Sequence, residues 1–187
     1  ATSTTGDTEG TILAGEFATA TVTELAEKAD VSRATVFSRF GSKMGVLEAL
    51  SVRCAGGPQM KAIRAAVALD DPVEAVVATI AAVCEHWERQ GHILLTLKAV
   101  SELEPGAIAL IDEQRVDQRD SVLRLARGLE HSRRLRELTR SQAAAALHTI
   151  TSVESFMELR RNGGLSLAAT RKVLQGMAQG LFDLEAR

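Results

Sequence analysis

Residues 31–43 read VSRATVFSRFGSK and decide how the N-terminal part of the chain folds. Ser32 has a side chain that caps the start of a helix well, and Gly41 suits the position just after a helix. The stretch therefore predicts a short helix over residues 33–40. Ser42 predicts the start of another helix directly behind it.

A second short helix is predicted immediately before this one. Residues 21–24 (TVTE) have the Thr-x-x-Glu form of a capping box, which marks the start of a helix. Apolar residues then recur at helical spacing on one face. They are Val22, Leu25, Ala26 and Ala29. Two short helices joined by a tight turn, the second one bearing small and basic side chains, are typical of a helix-turn-helix.

The two sides of the helix at residues 33–40 differ in chemistry. Val36 and Phe40 fall on one side, together with the stem of Arg33, and this side can pack against the preceding helix. The other side is small, hydroxylated and cationic. It consists of Ala34, Thr35, Ser38 and Arg39. Such a side suits close approach to a DNA major groove.

Individual positions on this surface predict different DNA contacts. Arg33 is long enough for a bidentate contact with a guanine edge, worth about 1–3 kcal/mol of discrimination. Ala34 can lie against a thymine methyl group. Residues suited to binding phosphate surround these two. They are Thr35, Ser38 and Arg39 in the same helix, Thr21 and Thr23 at the start of the preceding helix, and Lys43 in the first turn of the next.

Composition favours helices throughout the chain. Aromatic residues make up 3% of the 187 residues and tyrosine is missing, whereas strands favour aromatic and β-branched side chains. Hydrophobic residues (45%) and charged residues (25%) occur in the proportions of a globular protein. We therefore predict an all-α fold.

The net charge of the chain gives little support to DNA binding. It is −2 overall, and residues 1–50 contain four Lys/Arg against seven Asp/Glu. Any DNA binding must therefore rest on a local surface. From spacing alone, a short surface helix without a DNA-binding role stays open as an alternative.

Several functional classes lack their sequence signatures. We find no secretory signal and no apolar run of the ~18 residues that a membrane span needs, so we expect a cytoplasmic protein without a membrane partner. Phosphate loops, nucleophile elbows and metalloprotease motifs are missing as well, so we predict neither an enzyme nor a cofactor.

The cysteines and histidines predict no metal site. Cys54 and Cys84 lack Cys-x-x-Cys spacing and give no sign of a disulfide framework. Cys84, His86 and His92 form a candidate ligand set for a metal sensor. Their spacings of two and six residues do not place three ligands on one face of a helix.

Glycines and prolines divide the rest of the chain into helices. The predicted helices cover residues 42–55, 59–69, 72–90, 92–103, 107–129, 141–161 and 166–184. We assign residues 1–50 to a helix-turn-helix DNA-binding domain and residues 51–187 to a helical domain that binds an effector and dimerises.

The last two predicted helices carry apolar residues on more than one side, which calls for two packing partners. One side can pack into the domain core and the other into a two-fold helical bundle, because a helix-turn-helix protein gains affinity and specificity from two half-sites. The candidate dimer residues are Phe156, Leu159, Val173, Leu174, Met177 and Leu181. A helix surrounded by its own core is the alternative.

The middle helices offer a candidate ligand pocket. They combine apolar residues with a few polar side chains, as small-molecule pockets do. The candidates are Val83, Trp87, Leu94, Leu97, Val100 and His148. For each of these residues, an ordinary hydrophobic core is the alternative.

The helix-turn-helix resembles the DNA-binding domain of the tetracycline-repressor (TetR) family of bacterial transcription regulators. The resemblance rests on TVTELA at 21–26, ADVS at 29–32, TVF at 35–37, FGSK at 40–43 and Leu47. Outside these residues, the resemblance is one of architecture, with a helical effector-binding and dimerising domain. The segment SVESFMELRRNGGL also resembles the dimerisation region of the family.

The resemblance implies a role for each residue of the helix-turn-helix. The residues that would face bases are Thr23, Arg33, Ala34 and Phe37, and those that would face phosphates are Thr21, Thr35, Ser38, Arg39 and Lys43. Phe37 departs from the usual tyrosine and offers only apolar contact, for example to a thymine methyl group. Arg39 stands where histidine is frequent and can partly replace the lost phosphate anchor. Gly6, Gly10 and Gly15 interrupt the amphipathic first helix of the family.

With the resemblance, we predict a ligand-responsive transcriptional regulator, and more specifically a repressor. It would bind a palindromic double-stranded DNA operator as a homodimer and be released by a small apolar effector. A helical enzyme is one alternative. The other is a ligand-binding or interaction module whose helix-turn-helix no longer reads DNA, which the acidic first fifty residues favour.

Overall fold

The computed structural model describes residues 20–103 and 108–185. Within these ranges the chain forms helices and no strand, which confirms the all-α prediction. The helices are α1 (Val22–Lys28), α2 (Arg33–Phe40), α3 (Lys43–Ala55), α4 (Gly57–Val67), α5 (Pro72–Leu103), α6 (Ile108–His131), α7 (Arg140–Ile150), α8 (Val153–Met157) and α9 (Leu167–Leu181), with a π-helical turn at Glu158–Asn162. The interrupted first helix predicted from Gly6, Gly10 and Gly15 lies outside the described residues.

The chain divides into two compact units. The first unit consists of Ala1–Ala55 and His92–Gln114, and the second unit consists of Gly56–Gly91 and Arg115–Arg187. Helices α5 and α6 therefore contribute residues to both units. The sequence pattern set a boundary after residue 50 and did not assign residues 92–114 to the N-terminal unit.

A small apolar core holds the first unit together. Leu25 of α1 and Leu47 of α3 are buried in it, and they cluster with Ile93, Leu97 and Val100 of α5. Burying one such side chain contributes about 1.5–3 kcal/mol. These contacts fix α1 and α3, the two helices that flank α2 in the sequence.

A larger apolar core holds the second unit together. Its residues come from α4 to α9, from the loop behind α6 and from the chain behind α9. Among its largest fully buried side chains are Ile80, Leu129, Leu147, Ile150, Phe156, Leu174 and Phe182. Each helix turns its apolar stripe towards this core, as expected for helices that pack on one another.

Helix α5 runs without interruption through Gly91, so the prediction that a helix ends there was wrong. Gly91 is buried. A Cβ atom at this position would lie 3.2 Å from Val153 Cγ2 and 3.4 Å from Met157 Sδ. The glycine lets α8 approach the backbone of α5 closely, and this packing explains why a residue with poor helix propensity stands inside a long helix.

The predicted helix at residues 141–161 is interrupted instead of continuous. Helix α7 ends at Ile150, and Ser152 starts α8 by accepting a hydrogen bond from Ser155 N at 3.1 Å. The π-helical turn follows, in which Gly163 N donates to Glu158 O, five residues earlier, at 2.9 Å. The side chain of a serine can hydrogen-bond to nearby backbone groups and so interrupt a helix. The periodicity of the apolar residues alone did not show this break.

Candidate DNA-binding surface

The predicted capping box at the start of α1 is confirmed. Thr21 N donates to Glu24 Oε2 at 2.6 Å and Thr21 Oγ1 donates to the same oxygen at 2.9 Å, while Glu24 N donates to Thr21 Oγ1 at 3.3 Å. The bonds from Thr21 lower the pKa of Glu24 below its usual value. The carboxylate of Glu24 therefore occupies the helix end where a phosphate would bind, and the Thr21 hydroxyl already donates its hydrogen.

The turn between α1 and α2 is closed by backbone hydrogen bonds. Val31 N donates to Ala26 O at 3.0 Å, and Asp30 takes a φ of 51°. Ser32 then caps α2, because its Oγ accepts a hydrogen bond from Thr35 N at 3.0 Å. The predicted cap at Ser32 is thus confirmed. The hydrogen bonds of the turn and of the cap restrict the conformation of the chain at the start of α2.

Helix α2 presents almost all of its side chains to solvent. Val36 is buried at 6% exposure and Phe40 is half-buried. The exposed residues are Arg33, Ala34, Thr35, Phe37, Ser38 and Arg39. Phe37 is 40% exposed, which is a large exposed area for an aromatic side chain. The six exposed residues, which we call the α2 face, are all among those predicted to contact DNA.

Aromatic rings support both arginines of α2. The guanidinium carbon of Arg33 lies 5.1 Å from the centre of the Phe37 ring, and that of Arg39 lies 5.7 Å from the centre of the Phe40 ring. Cation–π contacts of this kind restrict a long side chain and favour its charged head over the ring. The sequence analysis missed the Arg33–Phe37 pair, although its spacing of four residues brings the two side chains together on a helix.

The hydroxyl groups of the α2 face are hydrogen-bonded within the helix. Thr35 Oγ1 lies 2.8 Å from Ser32 Oγ, and Ser38 Oγ donates to Thr35 O at 3.1 Å. A hydroxyl that binds a phosphate oxygen has to donate its hydrogen. Ser38 would have to exchange its local bond for a phosphate bond, so the arginines are the better phosphate donors on this face.

The remaining predicted DNA contacts lie on the flanking helices. Thr23 is exposed in the first turn of α1, and Lys43 is half-buried in the first turn of α3. Residues 20–50 carry four basic residues (28, 33, 39 and 43) and four acidic residues (24, 27, 30 and 48). Both arginines of this segment lie in α2 and none of its acidic residues does, so α2 carries a net positive charge although the segment as a whole is balanced.

The predicted dimer residues divide into a buried and an exposed group. Phe156 and Leu174 are 1% exposed and lie inside the core of the second unit, and Leu159 is half-buried against it. Val173, Met177 and Leu181 of α9 are exposed to 38%, 45% and 39%. Only the second group offers an apolar surface to a partner. Because of their spacing of four residues, they follow one side of α9.

The second unit fixes the end of α9 with two arginines. Arg134 Nη1 donates to the carbonyl oxygens of Asp183 at 2.9 Å and Glu185 at 2.8 Å. Arg136 donates to Gln179 O at 3.2 Å, near the end of α9. Positive charge is favourable at a helix C-terminus, where carbonyl groups lack partners. These bonds hold in place the helix that carries the exposed apolar side chains.

The six predicted pocket residues do not share one cluster. Val83 lies in the core of the second unit, where Trp87 packs against it. Leu97 and Val100 lie in the core of the first unit, and Leu94 is buried. His148 is exposed. The single indole N–H of Trp87 donates to Thr151 O at 3.0 Å, at the break behind α7, so this side chain has a structural role as well.

Neither metal ligands nor membrane spans are found in the described part of the chain. No three His, Cys, Asp or Glu side chains lie close enough together there to hold a metal ion. Burial raises the pKa of the Cys84 thiol to about 11, which keeps it protonated and unreactive. The side chain of Cys54 lies outside the described residues. No helix among the described residues has the length and apolarity to cross a bilayer.

The family model of bacterial regulatory proteins of the tetR family matches residues 13–50, the segment that contains the helix-turn-helix. The TetR family transcriptional regulator PfmR from Thermus thermophilus has a similar crystal structure, with 22% sequence identity and a TM-score of 0.64 over 88% of this chain and 90% of that chain. At this identity the likeness shows a shared fold. No curated protein matches the chain. Residues 13–50 thus match the model of tetR-family bacterial regulatory proteins, and the chain shares the fold of a TetR family transcriptional regulator.

Proposed function

We propose that the chain is a ligand-responsive transcriptional repressor that binds a palindromic operator as a homodimer and is released by a small, largely apolar effector. The α2 face is the observation that carries this proposal. It combines two arginines, three small or hydroxyl side chains and an exposed aromatic ring on one short helix that is capped at its start. This is the chemistry that a helix needs in order to enter a major groove.

In this proposal α2 is the recognition helix, and its residues have different tasks. Arg33, held over the Phe37 ring, reads a guanine, while Ala34 and Phe37 contact thymine methyl groups. Arg39 binds a backbone phosphate. The residues proposed to assist it are Thr21, Thr23, Thr35, Ser38 and Lys43. Phosphate contacts fix the register of the helix, whereas base contacts determine the sequence.

The exposed side of α9 supports the proposed dimer. Val173, Met177 and Leu181 offer apolar surface there, and no atom of another described element lies within 4 Å of a Cβ built on Gly176 or Gly180. Glycines on an open helix surface let a second helix approach the backbone. A two-fold dimer would set two recognition helices roughly 34–36 Å apart, one turn of DNA.

Sedimentation of the purified chain tests the dimer. Met177→Lys should convert a dimer to a monomer at micromolar concentration, because it places a charge in an apolar interface. Gln179→Lys adds the same charge to an exposed position of the same helix and should leave the dimer intact. A wild-type chain that sediments as a monomer would contradict the operator geometry.

The effector part of the proposal rests on the helical second unit. Effector and operator would bind to different conformations of the dimer, so each would lower the affinity for the other by the same factor. A regulator of this kind acts where the chromosome is, and we therefore propose a cytoplasmic location.

Selection of bound sequences from a random pool of DNA duplexes, at near-physiological salt, tests the proposed function directly. We expect an enriched palindrome whose half-sites are about one helical turn apart. Enrichment of a single, non-palindromic site would contradict the dimer. No enrichment by a folded chain would support the second candidate function, a ligand-binding or interaction module that does not read DNA. The balanced charge of residues 20–50 and the position of the Glu24 carboxylate favour that candidate.

A further inference from the structure

One face of α5 buries polar side-chain atoms that have no hydrogen-bond partner among the described residues. Thr79 is 3% exposed and His86 is 2% exposed. Thr79 Oγ1, His86 Nδ1 and Gln90 Oε1 are all buried, and within the described part of the chain none of the three accepts or donates a hydrogen bond. Most buried polar groups in proteins are paired, because an unpaired one destabilises the fold. Three of them on one face of a helix therefore need an explanation.

These three residues lie on the same side of the helix. With a turn of 100° per residue, their Cα atoms fall within about 40° of one another around the helix axis. Val83, which is 6% exposed, lies on the same face between Thr79 and His86. Along the axis, Thr79 and His86 are about 10 Å apart and His86 and Gln90 about 6 Å apart. The face is an apolar strip with polar groups at intervals, and we call it the α5 polar face.

The α5 polar face carries no charge at neutral pH. Burial lowers the pKa of His86 to about 4, so its imidazole is neutral. The carboxylates of this part of α5 lie elsewhere on the helix and are paired, Glu85 with Arg171 and Glu88 with Arg160, each at 2.6 Å. A buried face without charge disfavours a charged ligand, because the ligand would lose its hydration without gaining a counterion.

We propose that Thr79, His86 and Gln90 anchor the effector, and that the effector is an elongated neutral molecule with hydroxyl or N–H groups spaced along an apolar body. The proposal rests on the proposed function, in which an effector binds the second unit. The Gln90 amide oxygen and the unprotonated imidazole nitrogen accept hydrogen bonds, and the Thr79 hydroxyl both donates and accepts them. Effector binding would thus pair the polar atoms that are unpaired without it.

Binding of two simple probes tests the anchors. The probes are a linear octanediol with a hydroxyl at each end and octanol with a single hydroxyl. They are titrated against the wild-type chain and against a variant with Thr79→Val, His86→Leu and Gln90→Leu. Trp87 is the one tryptophan of the chain and is adjacent to His86, so its fluorescence reports binding.

We expect the wild-type chain to bind the diol roughly fivefold more tightly than octanol, as one additional net hydrogen bond predicts. The variant should lose this preference. The same ratio of affinities in both proteins, or a wild-type chain that does not bind the diol, would overturn the proposal.

Single substitutions test whether the polar atoms are unpaired before an effector binds. Thr79→Val should raise the melting midpoint by about 3 °C, because it removes a buried hydroxyl without a partner. Thr151→Val is the matched control. Thr151 is equally buried at 4% exposure, but its Oγ1 donates to Leu147 O at 2.8 Å. Its substitution should not raise the midpoint. A lower midpoint for Thr79→Val would contradict the assignment of this hydroxyl as an anchor.

DNA binding of the same proteins separates this proposal from the proposed function. A variant that loses the preference for the diol but binds the selected operator like the wild-type chain supports both. A wild-type chain that prefers the diol and enriches no DNA sequence contradicts the proposed function and supports the anchors alone.

Discussion

The α2 face and the α5 polar face differ in the exposure and the hydrogen bonding of their polar groups. On α2 the hydroxyls of Thr35 and Ser38 are exposed to water, yet both are hydrogen-bonded within the helix. On α5 the side chains of Thr79 and His86 are buried, and Thr79 Oγ1 and His86 Nδ1 have no hydrogen-bond partner among the described residues. The first surface is organised before any partner arrives, whereas the second gains its hydrogen bonds only with a partner. A surface that is ordered before binding loses less conformational entropy when it binds DNA. A site whose polar atoms are paired only by a ligand is stabilised when the ligand binds.

The largest effect that we predict is the dependence of stability on pH that results from His86 in the α5 polar face. The pKa of His86 is about 4 in the folded chain, below the value of 6.5 that is usual for histidine. The unfolded chain therefore takes up a proton first as the pH falls. The stability linked to His86 is complete above pH 6.5 and declines towards pH 4, by about 3 kcal/mol in total.

Urea unfolding between pH 4 and pH 7.5 checks this prediction. His86→Leu should flatten the dependence of the unfolding free energy on pH over this range. His131→Gln, at an exposed position, serves as the control and should keep the wild-type slope. A His86→Leu chain with an unchanged slope would mean that this imidazole is as well hydrated as those on the surface.

The next largest effect concerns DNA binding by the α2 face. Arg33→Ala should reduce discrimination at one base pair of the operator by about 1–3 kcal/mol, because the bidentate contact with guanine is lost. Lys43→Ala should instead weaken binding to all sequences alike and reduce the salt slope by about one unit. Competition binding with single-base operator variants at two salt concentrations separates the two outcomes. Identical effects of both substitutions would contradict the division into base and phosphate contacts.

A smaller effect is expected where α8 meets α5. Gly91→Ala adds a Cβ that would lie 3.2 Å from Val153 Cγ2, and the crowding should lower the free energy of unfolding by about 1 kcal/mol, after the gain in helix propensity is subtracted. Gly176→Ala has open space around it and is the control, which should gain stability as a monomer. Equal stabilisation by both substitutions would contradict the close packing of α8 on α5 at Gly91.

The smallest effect concerns the ring beneath Arg33. Phe37→Ala should weaken operator binding through the loss of cation–π support by about 0.5–1 kcal/mol, in addition to any lost methyl contact. Phe37→Tyr keeps the ring and should bind at least as well as the wild-type chain. A double-mutant cycle with Arg33→Lys isolates the coupling between the two side chains. Additive losses would show that Phe37 acts independently of Arg33.

Local interactions could be predicted from the sequence. The caps at Thr21 and Ser32 depend on groups three residues away, so the residues that form them are all visible in one short window. The same holds for the exposed positions of α2, which follow from helical spacing once Val36 is assigned to the core. The Arg33–Phe37 pair is also local, because its spacing of four residues brings the two side chains together on a helix.

Interactions between distant parts of the chain could not be predicted in this way. From the sequence, Gly91 is interpreted as a helix end. The contact that explains this glycine is with the side chain of Val153, which belongs to another helix. Thr79 and Gln90 read as ordinary helical residues and His86 as a candidate metal ligand, since only the packed structure shows that each has a buried polar atom without a partner among the described residues. Leu97 and Val100 read as pocket residues for the same reason, because nothing in their spacing shows that they join Leu25 and Leu47.

The π-helical turn at Glu158–Asn162 bears on how this chain can diverge from its relatives. A π-turn contains one residue more than an α-turn, so the extra residue is accommodated within the turn itself. Arg160, inside the turn, holds Glu88 at 2.6 Å and so keeps the bulge in place. A chain that lacks one residue at this point can therefore form a regular α-turn there while α9 keeps its apolar side chains on the same surface.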